Sequence, residues 1–137
     1  MTDSDEHSTS LDAALSRSMS ADGLTRDKAI FELADFIDDE RVVERLREML
    51  DDDIVTMQVD AADVLARRAG VKGLMLVLDE IGRRRDDPDA DYIANRLYEL
   101  DAGGDIAILD SIESVQSDLS DDARIGFRQL KVLRGRE

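Results

Sequence analysis

The sequence has no cysteine and no tryptophan. Without thiols it forms no disulfide, holds no thiolate zinc site and offers no cysteine nucleophile. Its single histidine, His7, lies in a polar N-terminal segment. Histidine triads and multi-histidine metal sites therefore have almost nothing to build on. Aromatic residues make up only 4% of the chain, which argues against a base-stacking nucleic-acid platform. The longest uninterrupted apolar run, Leu74 to Leu78, is far too short to span a membrane. No alternating strand pattern occurs, so a glycine-rich phosphate cradle after a strand has no place to form. Basic residues are also scarce: 18 Lys and Arg face 33 Asp and Glu, a net charge of -15. That field repels phosphate backbones and anionic lipid, and it steers basic partners toward the surface. A coding bias or a halophile's hydrated shell would produce the same surplus. The start, Met1-Thr2-Asp3-Ser4-Asp5-Glu6, is acidic where a secretory signal is basic. The expectation is a soluble, cytoplasmic protein with no cofactor and no membrane or nucleic-acid partner.

What is present is helical periodicity. The 137 residues suffice for one domain on a single core. Residues 1–20 read as a polar tail with a possible short helix, where Leu11, Ala14, Leu15 and Met19 fall at helical spacing. Its few apolar residues leave two alternatives, a cap on the domain or a loose terminus, and predict that folding survives its loss. Residues 21–137 read as about seven helices separated by acidic or glycine-containing turns. Asp38-Asp39, Asp51-Asp52-Asp53, Asp87-Pro88 and Asp121-Asp122 supply cap residues, and Gly70 and Gly103-Gly104 supply stops. The helix from Val71 to Arg85 is apolar nearly all round, which predicts a central position.

The helices also repeat. Leu33, Leu65, Leu97 and Leu130 recur at intervals of about 32 residues, and Ile30, Ala62, Ala94 and Phe127 stand three residues before them. Leu46 and Leu78 match on the second helices of the first two units. Each unit is helix, turn, helix and an acid-rich link. A unit of this size cannot bury its own apolar face, so neighbours must stack.

The segment from Asp53 to Leu65 resembles the first helix of a HEAT repeat, a pattern of Asp, Val-Arg, paired Ala and Leu. Met57 stands for the Val, Gln58 for the Arg, and Ala61-Ala62 and Leu65 fit. Gln58 departs from the pattern, and Ala90 and Ala123 fill the same place in later units, so the family's inter-repeat Asp–Arg ladder is not expected. The resemblance loosely covers residues 25–137. It implies an all-α, right-handed solenoid of three and a half helical hairpins, with the second helices lining a concave face. Small acidic bacterial proteins of this kind are similar to immunity proteins that neutralise toxins, often nucleases with basic clefts.

Few motifs point to chemistry. Asp87, Asp89 and Asp91 alternate as in a calcium loop, but Tyr92 occupies the glycine position and Tyr98 that of the bidentate glutamate. The Asp runs fall at turns, where capping accounts for them, and no catalytic or metal-ligating residue is assigned. Arg83-Arg84-Arg85 sits at a helix C-terminus, where the dipole favours it, beside Asp86-Asp87. The clearest charge feature is a gap: no Lys or Arg occurs between Leu97 and Ala123. Asp79, Asp105, Asp110 and Glu113 are therefore the candidate residues for binding a basic partner. The competing account is that Arg124, Arg128, Lys131, Arg134 and Arg136 neutralise those acids within the chain.

These readings predict a non-enzymatic protein-binding module, with an inhibitor or immunity protein against a basic partner such as a bacterial toxin as its leading form. A scaffold or regulatory subunit is the first alternative. A HEAT-like lyase or glycosylase is the second, and it would need acids in a pocket or a basic concave face.

Overall fold

The computed structural model describes residues 3–136, and no strand occurs among them. The first two residues of the acidic start and the side chain of His7 lie outside that description. Eight α-helices follow one another: α1 (Asp3–Arg17), α2 (Gly23–Ala34), α3 (Glu40–Met49), α4 (Val55–Arg68), α5 (Gly70–Arg83), α6 (Ala90–Ala102), α7 (Ile108–Glu113) and α8 (Asp121–Leu133). A single 3-10 turn, Gln116–Asp118, links the last two.

Local chemistry sets the boundaries. Asp22, Asp39 and Ser120 cap α2, α3 and α8, each side chain accepting from a backbone N–H of the first turn. Three expected caps are displaced. Ile54, with no capping side chain, precedes α4, and Asp52 accepts from the Ile54 N–H at 2.9 Å in the turn ahead of it. Asp121 and Asp122 lie inside the first turn of α8, because Ser120 is the residue in extended conformation before it. Asp87 caps a turn ahead of α6, accepting from the Asp89 N–H at 2.9 Å, and the helix starts only at Ala90. Between α4 and α5 the chain reverses at Gly70 with φ +65°, a left-handed conformation that glycine adopts without a Cβ penalty.

The leucines at repeated spacing share one role: Leu33, Leu65 and Leu97 are fully buried, and Leu130 almost so. The residues three before them, and Leu46 and Leu78, are buried as well. Helices α2, α4, α6 and α8 contact one another in that order, and α3, α5 and α7 form a second row. The largest interface joins α5 to α8, which makes the apolar α5 central. Here the backbones touch. A Cβ on Gly82 would collide with the carbonyl of Asp122, and one on Gly126 with the carbonyl of Leu78. These two glycines let α8 lie directly on α5.

The N-terminal segment is a helix, and it contributes to the core. Leu11 and Ala14 are each only 1% exposed and belong to the same apolar cluster as Leu130. Arg17 pairs with Glu32 of α2, and the Arg45 guanidinium donates to both the hydroxyl and the carbonyl of the buried Ser18. The expectation that folding survives loss of this segment counted its apolar residues without their placement: Leu11 and Ala14 lie on one face, against the core. Met19, by contrast, is exposed.

Candidate functional site

The four predicted acids do not form one site. Asp79, half-buried on α5, accepts from the Ser120 hydroxyl at 2.6 Å. Asp105 lies in the loop after α6 and faces Arg67 of α4 at 3.4 Å. Asp110 and Glu113 share one face of α7, as their spacing requires. That face meets the C-terminal cations: Arg136 reaches Asp110 at 3.2 Å and Lys131 reaches Glu113 at 3.8 Å. Arg134 holds the buried side chain of Asp101 at 2.7 Å. Asp101 also accepts from the N–H of Ile108 and so starts α7. The basic tail of α8 thus partners the acidic stretch that lacks its own cations.

The arginine run at the end of α5 is a joint. Arg84 donates to the Leu50 carbonyl at the end of α3, to Gln58 on α4, to Glu80 and to Asp87. Gln58 is buried and donates in turn to the Asp52 carbonyl at 2.6 Å. Asp52 holds Arg26 through both carboxylate oxygens, at 2.9 and 3.2 Å. Arg26 stands seven residues before Leu33, as Gln58 stands before Leu65. One Arg–Asp pair thus runs on into an amide and an arginine. Burial and the Asp51 carboxyl push Glu80 upward against the pull of Arg83 and Arg84. Asp51 resists its own burial and is held below its ordinary value by hydrogen bonds to Glu80 and Arg83. These groups join α3, α4 and α5.

An open acidic groove lies between α4 and α6. It holds about 440 Å³ and is lined by Asp60, Asp89, Tyr92 and Arg96 over Val55 and Val59. Tyr92 is 60% exposed, and Phe31 and Tyr98 are exposed as well. Behind Tyr92 the Asp60 carboxyl faces that of Asp27 on α2. Burial, and then Asp27, push Asp60 up to about 7, with Arg96 pulling the other way. Arg96 stands 3.6 Å from Asp63, which also pairs with Arg67 at 2.9 Å.

No family model, no curated protein and no solved structure matches the chain.

Capping had seemed sufficient for the acids at turns, but Asp27 and Asp60 sit inside helices and were not singled out. Their signal was available: neither position serves a cap, and each lies beside the buried stripe of its helix. Among the described residues no group of three or more His, Asp or Glu side chains converges on a common point that suits an ion. No described helix is long and apolar enough to cross a membrane.

Proposed function

We propose that this chain is a non-enzymatic protein-binding module, a short HEAT-like stack whose partner is a basic protein in the cytoplasm. The stack is supported by the two rows of helices, the equivalent burial of the repeated leucines and the Arg26–Asp52 pair. The observation that carries the binding role is Tyr92. It is exposed beside Asp89 and Asp91 and over Asp60 in the groove between α4 and α6, on a chain of net charge -15. A rigid aromatic residue ringed by acids is the kind of anchor that carries interface energy. The charge field speeds the approach of a basic partner and discourages nucleic acid. Asp79, Asp105, Asp110 and Glu113 add to that field, while their intrachain partners compete for direct contact. Inhibition of a basic toxin is the specific role that best fits a small acidic binder.

The test is affinity capture from a native lysate at low and high salt, with the intact chain and Tyr92→Ala as baits. A basic protein retained stoichiometrically at low salt, released by salt and weakened by about tenfold or more in Tyr92→Ala is expected. Retention unaffected by that substitution, or no stoichiometric basic protein, would overturn the reading.

One observation favours a second reading. Asp60 titrates near neutrality in an open groove, a property shared with general acids and bases. A catalytic role would make Asp60→Asn inactive toward a substrate that the protein still binds.

A further inference from the structure

Another groove has the opposite charge. It holds about 710 Å³ and runs along α8 beside the 3-10 turn and the end of α5. Arg85, Arg124, Arg128 and Lys131 line it, and among the described residues no carboxylate does. Leu119 and Phe127 form its floor, with the Lys131 ammonium 4.4 Å from the centre of the Phe127 ring. On a chain with 33 acids and 18 bases, four cations around an apolar floor are a marked segregation of charge.

Three of these cations, Arg85, Arg124 and Lys131, are loosely paired. Asp122 is 3.7 Å from Arg85, Asp121 is 3.8 Å from Arg124, and Glu113 is 3.8 Å from Lys131. Several ion pairs elsewhere are tighter, as at Arg26–Asp52 (2.9 Å), Arg134–Asp101 (2.7 Å) and Arg83–Glu80 (2.6 Å), while Arg45–Glu48 and Arg96–Asp63, both at 3.6 Å, are nearly as long as those at the groove. Asp121 is fully exposed, and Asp122 and Glu113 are partly so. Exchanging such exposed, long pairs for incoming carboxylates costs little.

We propose that this groove docks a short acidic peptide segment of a partner protein, with an apolar side chain over Leu119 and Phe127 and flanking carboxylates on Arg85 and Arg124. Charge complementarity selects the occupant. The apolar floor selects a peptide over a bare anion. The chain's negative charge does not prevent docking, because charges more than about 8 Å away are largely screened at physiological salt. A long polyanion such as single-stranded nucleic acid would meet the acidic surface beyond the groove. This site is distinct from the acidic groove and does not depend on the basic partner.

The probe is a labelled peptide of one phenylalanine with three glutamates on each side, titrated into the full chain and followed by fluorescence anisotropy and amide chemical shifts. Saturable binding is expected, with shifts centred on Leu119, Ile125 and Phe127. Arg124→Glu with Arg128→Glu should weaken it by about tenfold or more. Arg41→Glu with Arg47→Glu, which alters net charge equally on another face, should leave it within about twofold. Replacing the peptide's phenylalanine by glycine should also weaken it. Should the double reversal unfold the chain, Arg85→Gln alone supplies the comparison. Any of four results would overturn the proposal: no saturation, equal loss in both double variants, tighter binding of oligothymidylate at the same residues, or self-association of the chain through this groove.

Discussion

Asp60 lies on α4 beside Asp27 of α2, and burial, then that neighbouring carboxyl, raise its pKa. The sign of the effect on stability follows from linkage. The folded pKa of Asp60, about 7, lies above the ordinary 3.8. Between those values the unfolded chain releases a proton that the folded chain keeps, so this group's stabilising contribution is complete below pH 4 and is lost as pH rises through 7. Asp22, Glu32, Asp52 and Asp87 are held below their ordinary values, and they oppose this trend only in acid. Asp60→Asn keeps the shape and removes the charge. Its stability relative to the wild type should rise between pH 5 and pH 8, as measured by urea unfolding at both pH values. A difference that does not change with pH would show that the Asp60 carboxyl is not raised.

At the level of whole elements, the contact between α5 and α8 sets local propensity against packing. Alanine is a better helix former than glycine by about 1 kcal/mol, so Gly126→Ala would stabilise an isolated α8. In the folded chain the new methyl group would meet the Leu78 carbonyl, and a backbone atom cannot rotate away as a side chain can. The helices must separate, at a cost of about 3 kcal/mol, the upper part of the usual range for overpacking. Thermal unfolding should show the loss, while Gly103→Ala, at a helix end, should show far less. A stabilised Gly126→Ala would mean that α8 does not rest on α5 backbone to backbone.

Across the whole molecule the apolar cluster is continuous, running from Leu11 on α1 through Leu78 on α5 to Leu130 on α8. A single contiguous core predicts one cooperative transition. Leu11→Ala and Leu78→Ala should each destabilise by about 2–5 kcal/mol. Each should do so without splitting the transition, as checked by calorimetry against circular dichroism. A separate early transition in Leu11→Ala would place α1 outside the cooperative unit. Charge is divided at the same scale, with an acidic groove between α4 and α6 and a basic one along α8.

Helical class was legible in the residues because amphipathic period, caps and glycine stops act within a few positions. Leu33, Leu65, Leu97 and Leu130 revealed the buried stripe of four helices for the same reason. The central place of α5 followed from its apolar surface. The residues alone could not say which acids are free, because that depends on helices brought together from distant parts of the chain. Asp79 finds Ser120 only through the close approach of α5 and α8, and Asp110 finds Arg136 only where α7 meets α8. Asp27 meets Asp60 because α2 lies beside α4, and Leu11 matters because α1 folds back on α2. Periodicity places a side chain on a face. Only the crossing of two helices decides what that face meets, and with it which charges remain available to a partner.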